Sequence, residues 1–313
     1  MKVVFIGEII RTPDAPDHQG IVQGIQQMKW EYLILDPILE RPDDIVRKCN
    51  EFNPDLVIHG NTDSLVLGII PKIRARQVFF MGDYRPSKEQ YQQWDTWVHN
   101  SRGLSAIFIS NYDQIDMWKE AFNIPVFFWP HGCYVLDKPI YDKRFEHDMV
   151  FIGQMNNTAP YNERREFILA LNEEIKKQLK TEITFYNGDG TEGRNSVWRD
   201  MPAIYHSAKV VLDISHFWNV EGYASGRYWY SSGLGGCALT KRFPRCEEFY
   251  PTGTKVYFDS IPECIEKLND LLSNKFLRIS IKSAAFEHNK MYHSYKKRFQ
   301  KMILFMIPIV KGV

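Results

Sequence analysis

Short β-branched and aromatic runs, each closed by a glycine or polar turn, recur along the first part of the chain. They are Val3–Ile6, Tyr32–Leu35, Leu56–Ile58, Val78–Met81, Ile107–Ile109 and Val126–Trp129. Near-continuous apolar runs of this kind suit strands buried on both faces of a parallel sheet. Helical stretches are predicted between them, over about Gly20–Lys29, Pro42–Phe52, Lys88–Val98 and Tyr112–Phe122. The alternation predicts a doubly wound α/β domain.

A charged, proline-bearing stretch from Asp137 to Asp148 interrupts the pattern, which then restarts. Strands are expected at Met149–Ile152, Ile183–Tyr186, Val210–Ile214, Cys237–Thr240 and Val256–Phe258. Arg164–Lys180 reads as a helix with apolar residues every fourth position, and another begins at Ser260 with a capping-box pattern, Ser260-x-x-Glu263. The segment from about Ile279 to Phe305 is predicted helical, with a basic cluster at Lys296, Lys297, Arg298 and Lys301. Two consecutive α/β domains follow, one over residues 1–140 and one over 146–278, with 279–313 as a closing helical segment.

Length and composition change this picture little. The 313 residues are 44% hydrophobic, enough for two cores, and 39 basic against 38 acidic side chains give no global field for nucleic acid or membrane. The five cysteines are scattered without a CxxC pair, so no zinc or redox site is expected. The N-terminal apolar run is short and followed by Arg11 and Asp14, unlike a signal peptide, which predicts a cytoplasmic protein. The apolar tail Met302–Val310 contains Pro308 and falls short of the roughly 20 residues of a bilayer span. Many aromatics, among them Trp94, Trp97, Trp129, Trp218 and Trp229, fall in loops, which is compatible with stacking on a sugar or base, while structural packing is the commoner role for any one of them.

Open α/β sheets bind ligands beyond the carboxyl ends of their strands. In the second half the residues expected there are Gly153-Gln154, Asn187-Gly188-Asp189-Gly190, Ser215-His216 and the glycine run from Gly233 through Gly235 to Gly236. Small residues allow close approach, and amides at a following helix start can hold phosphate oxygens. Neither GxGxxG nor GxxxxGK[ST] occurs, which removes the main support for a dinucleotide dehydrogenase or a P-loop NTPase. Arg227, in Ser225-Gly226-Arg227, and Arg164-Arg165 supply charge against a diphosphate, a guanidinium being a planar fork for two oxygens.

The order of these features from about residue 149 onward resembles the CgeB-like, "glycosyl transferases group 1" family. The matching segments are Phe151-Ile152-Gly153 followed by Arg164-Arg165, Ile204 through Ser215, Gly226 through Thr240, and Glu247-Glu248-Phe249-Tyr250 with Gly253. The resemblance implies a GT-B architecture, with two Rossmann-like domains facing a central cleft, the nucleotide-sugar held by the C-terminal domain and the acceptor by the N-terminal one. It further implies a final helix crossing back to the first domain. Related sequences commonly read R-x-F-E where this chain reads Arg227-Tyr228-Trp229-Tyr230, so Tyr230 takes the place of a ribose-binding glutamate. Glu221 is a candidate for facing the donor sugar.

The reaction so implied moves a sugar from a nucleoside diphosphate to an acceptor hydroxyl, with no cofactor or metal: Arg227 and backbone amides would hold the departing diphosphate, and no DxD-type motif is present. An inverting enzyme needs a base at a strand end of the first domain, for which Asp83 leads, followed by His59, Asp63 and His18. Retention and inversion both stay open. The expected acceptor is a carbohydrate or small metabolite. A modified DNA base is the second class, contacted by Arg74, Arg76, Arg85, Lys88 and Arg102 among Trp94 and Trp97. The alternative to an enzyme is a non-catalytic nucleotide-sugar-binding or scaffold protein of the same fold.

Overall fold

The computed structural model describes residues 1–10, 12–60, 63–85, 93–155, 162–186 and 194–311. The chain forms two compact units, Met1–Pro13, His18–His131 and Tyr295–Val313 in the first, Asp14–Asp17 and Gly132–Ser294 in the second. In the first unit the elements are β1 (Lys2–Ile6), α1 (Pro16–Gln27), β2 (Glu31–Leu35), α2 (Pro42–Phe52), β3 (Leu56–His59) and α3 (Asp63–Val66). They continue with β4 (Gln77–Met81), α4 (Trp94–Asn100), β5 (Leu104–Ile109), α5 (Ile115–Phe122) and β6 (Val126–Phe128). The sheet is parallel in the order β2-β1-β3-β4-β5-β6. Its central strands β3 and β4 are buried along their whole length, as their apolar runs require, while edge strand β2 is exposed at Glu31 and Tyr32. Local signals set the helix ends: α2 starts on Pro42 with Asp43 and Asp44 in its first turn and stops at Asn53, which adopts the left-handed conformation (φ 51°).

The second unit holds β7 (Met149–Ile152), α6 (Asn162–Leu179), β8 (Ile183–Tyr186), α7 (Arg194–Ser207), β9 (Val210–Asp213) and α8 (Gly226–Gly233). After these come β10 (Ala238–Lys241), β11 (Val256–Phe258), α9 (Ile261–Ser273) and α10 (Lys275–Tyr292). Its parallel sheet runs β11-β10-β9-β7-β8. Counted within each unit, both sheets share the order 2-1-3-4-5 over their first five strands, so each has its switch point between its first and third strands. Ser260 caps α9 by accepting from the Glu263 amide, but the Glu263 carboxylate reaches back to Asp259 N (2.7 Å) instead of the Ser260 amide of a regular capping box.

The final helix, α11 (Tyr295–Lys311), belongs to the first unit, where Tyr295, Phe299, Met302 and Met306 are buried in one cluster with Phe5, Ile21, Ile58 and Trp129. Among the described residues no helix is long and apolar enough to cross a membrane. Two boundaries differ from those read in the sequence. The first unit ends at His131 instead of 140, because Gly132 onward is tied to the end of α10: Cys133 N donates to His293 O (2.9 Å) and Cys133 bridges Ser294. The closing segment begins at Tyr295 instead of 279, since α10 packs on α8 in the second unit.

Of the two roles open to the aromatics, packing is the one most of them take. Trp94 and Trp97 lie buried on α4, packed with Trp118 and Phe122; Trp129 is in the first unit's core and Trp229 is buried on α8. Trp218 is half-buried against the second core. Burial of Trp94 and Trp97 removes the stacking partners invoked for a DNA base. All five cysteines are buried and unpaired.

Candidate functional site

In the second unit the switch point between β7 and β9 carries a built constellation. Arg227, in the first turn of α8, donates from Nε to Ile152 O (2.6 Å) at the end of β7 and from Nη1 to Ile214 O (2.8 Å) just after β9. Its guanidinium also lies 4.7 Å from the Phe151 ring centroid. The side chain therefore ties two strand ends together, and its fork is partly used by the protein. Glycine at 153 leaves room for the arginine, since a Cβ there would sit 2.1 Å from Arg227 Nη2 and displace the guanidinium.

Arg164, on α6, is 2% exposed and approaches the same ring from 5.6 Å. Its Nη2 donates to Gln154 O, while Nε is buried with no hydrogen-bond partner among the described residues. Burial, and then the neighbouring Arg227 charge, push the Arg164 pKa well below its ordinary value. A guanidinium that stays protonated in such a place carries an unmet electrostatic cost, which a bound anion offsets. His216 joins the group: burial first, then Arg164 and Arg227, lower its pKa to about 3, so the imidazole is neutral. Both arginines are anchored on backbone carbonyls.

The α8 start is shaped around the same point. Ser215 Oγ accepts from Ser225 N (3.1 Å), which fixes the residue preceding the helix. Tyr230, one turn on, is 7% exposed and lays its ring against Gly226, where a Cβ would be 2.7 Å from the ring. Gly153, Gln154, Arg164, Ser215, Gly226, Arg227 and Tyr230 are thus brought to one end of one sheet. Glu221 lies apart from the arginines' contacts, in an ion pair with Arg245 (3.1 Å).

Gly235 does not join them. The glycine run follows α8 and precedes β10, so it sits at the amino end of that strand, and a Cβ on Gly235 would strike His206 Nδ1 and Pro139, each at 2.9 Å. Its positive φ of 86° and close packing explain the glycine without a ligand. Gly188 lies outside the described residues. Sequence reasoning singled out neither Phe151, the ring between the two arginines, nor the role of His216; its only signal for them was their position at the ends of predicted strands.

In the first unit Asp83 directly follows the end of β4 through Gly82; its carboxylate is 73% exposed and 3.5 Å from Arg85. His59 is fully buried and its Nε2 pairs with Gln77 Oε1 (3.0 Å), with burial lowering its pKa to about 4. A side chain so enclosed is a core residue and not an accessible base. Asp63 starts α3, half-buried, and its carbonyl accepts from Leu67 N (2.8 Å), a helix-end position. His18 Nδ1 lies 2.8 Å from Thr12 Oγ1. His131 stands over Gly82 with Nε2 2.9 Å from the Gly82 carbonyl.

With that geometry in view, residues 163–303 match the family model described as "Glycosyl transferase-like". Solved structures of similar fold include Anabaena HepE in complex with UDP and glucose (TM-score 0.62, 13% identity, 98% of this chain and 99% of that one). T4 phage BGT with its UDP-glucose substrate gives 0.60 at 13% identity over 99% of both chains. Sucrose-phosphate synthase from Thermosynechococcus elongatus gives 0.61 at 10% identity over 100% of both. No curated protein matches the sequence. The chain has the GT-B fold, and the stretch that matches the family model runs from α6 into α11.

Proposed function

We propose that this protein transfers a sugar from a nucleoside-diphosphate sugar to an acceptor hydroxyl. The observation that carries the reading is the pair Arg164 and Arg227 at the β7/β9 switch point, two guanidiniums around Phe151 that are anchored on backbone carbonyls. Such a pair suits a diphosphate, and the start of α8 adds backbone amides of favourable sign. In the reaction the bond between the sugar's anomeric carbon and the diphosphate oxygen breaks, and the diphosphate leaves with the electron pair. The acceptor oxygen bonds to that carbon and gives up its proton. The two guanidiniums stabilise the charge growing on the leaving group, the part a metal plays in other transferases.

Asp83 is the proposed proton acceptor from the first unit: it is exposed and stands just past the carboxyl end of β4, 3.5 Å from Arg85. The donor to test first is UDP-glucose, the compound bound by T4 phage BGT, and a carbohydrate or small metabolite is the proposed acceptor. Incubation with a panel of nucleotide sugars, reading nucleoside diphosphate release and product mass, tests the proposal. Release with one donor and a mass gain of one sugar on the acceptor are expected. Tight donor binding without release in any acceptor pool would instead identify a binding protein.

A further inference from the structure

A cavity of about 520 Å³, rimmed by charged side chains, lies at the amino end of the second unit's sheet, opposite the end that carries the arginine pair. It is lined by Glu146 and Asp148, which lead into β7, by Lys209, which leads into β9, and by Lys275, Arg278 and Lys282 of α10. The last three are spaced by three and four residues, so one face of the helix turns all of them to the cavity.

The carboxylates are already engaged. Asp148 pairs with Lys209 (2.6 Å) and accepts from Thr181 Oγ1 (3.0 Å), and Glu146 accepts from Tyr141 OH. Among the described residues none of the three α10 cations forms an ion pair within 4 Å, and the Arg278 charge adds to that of Lys209 in lowering the Asp148 pKa. Arg278 donates to Leu272 O (2.9 Å), and Lys282 to His206 O (2.6 Å) and Ala208 O (2.7 Å), which orients both side chains. Two carbonyls leave the Lys282 ammonium one further N–H. Lys275 is exposed in the first turn of α10, where the helix end itself favours negative charge.

We propose that this cavity is an anion site for a phosphate group, separate from the arginine pair at the other end of the sheet. Three cations on one helix face, two of them held in place by backbone carbonyls, suit a tetrahedral dianion. The volume lies in the range of small-molecule sites and leaves room for a body beyond the phosphate, so a sugar phosphate is the expected ligand class. Burial lowers the Lys282 pKa to about 8, and an anion beside it would return that pKa upward.

Calorimetric titration of the full chain with inorganic phosphate, glucose 6-phosphate and glucose tests this. Saturable binding of glucose 6-phosphate and no binding of glucose are expected, with the phosphorylated ligand weakened about tenfold or more by Lys275→Glu. That substitution is on an exposed helix position, and an unchanged Tm shows that it folds. Equal affinity for inorganic phosphate supports the site with the free ion as its ligand, while tighter glucose 6-phosphate supports the sugar phosphate. Absence of saturable binding at millimolar concentration overturns the proposal. So does binding that Arg227→Ala abolishes and Lys275→Glu leaves intact, since the anion then occupies the arginine pair. No sugar donor enters the measurement, so its failure leaves the transferase reading untouched.

Discussion

A methyl group added at Gly153 would lie 2.1 Å from Arg227 Nη2, and the far end of the arginine has to move to admit it. Gly153→Ala is therefore expected to weaken binding of a nucleoside diphosphate about tenfold, roughly 1.4 kcal/mol, without removing any charge. Arg227→Ala should cost more, about 1.5–3 kcal/mol of binding for a lost charge-assisted hydrogen bond. Because Arg227 also joins the ends of β7 and β9, that variant loses stability as well, which a melting curve recorded beside the titration will separate. Unchanged affinity in both variants would remove the arginine from the site. On the first unit, Asp83→Asn keeps the side chain's shape and discards its basicity, so turnover should fall about 10²–10⁴-fold with donor affinity nearly unchanged. Transfer at the parent rate would leave Asp83 as an ion-pair partner of Arg85.

Elements that present a clear apolar period were legible in the sequence, and those defined by burial on every side were not. Strands β7, β8 and β11 and helix α2 fall at the residues their patterns indicate, because short runs of β-branched and aromatic residues and a proline start leave little choice. Helices α7 and α8 have no such signature: α7 contains Pro202, and α8 runs from glycine to glycine with Tyr228 through Gly233 all buried. Missing α8 had a consequence for the site, since the glycine run then looked like a loop after a strand when it is the turn before one. The arginines were legible as charges near strand ends; their anchoring on carbonyls depends on tertiary register that no local spacing encodes. His59 ends an apolar strand and looked accessible for the same reason. Its burial makes a test at this scale: with a pKa of about 4 in the fold against 6.5 ordinarily, the imidazole stays neutral while the unfolded chain takes up a proton. The stability it contributes is present above pH 6.5 and is lost as pH falls toward 4, by up to about 3 kcal/mol. Denaturant unfolding at pH 7 and pH 4.5 should show a smaller acid loss in His59→Gln than in the parent. Equal losses would mean that the acid sensitivity arises elsewhere.

At the scale of the whole molecule, the first unit depends on residues from the far end of the chain. Tyr295, Phe299, Met302 and Met306 of α11 are each 3% exposed or less and share a core with strands β1, β3, β4 and β5. Trp129 Nε1 donates to Arg298 O (2.8 Å), and Arg298 Nε donates to Pro130 O (3.1 Å) and His131 O (3.0 Å), so the helix also fixes the end of the first sheet. Gly24 on α1 permits this packing, a Cβ there falling 2.9 Å from both Phe299 and Tyr295. Removing one large buried side chain costs about 2–5 kcal/mol, and four together exceed most of the 5–15 kcal/mol that holds a typical domain folded. Ending the chain after Ser294 should therefore unfold the first unit while the second, which keeps all of Gly132–Ser294, retains its core. Hydrogen exchange resolved by peptide is the measurement: amides of β1, β3, β4 and β5 should lose protection in the truncated chain, and those of β7, β9 and β10 should keep it. The graded version is Phe299→Ala, which leaves the chain whole and should lower the first unit's stability by about 3–5 kcal/mol. Full protection of β1 and β3 in the truncated chain would show that the first core closes without α11.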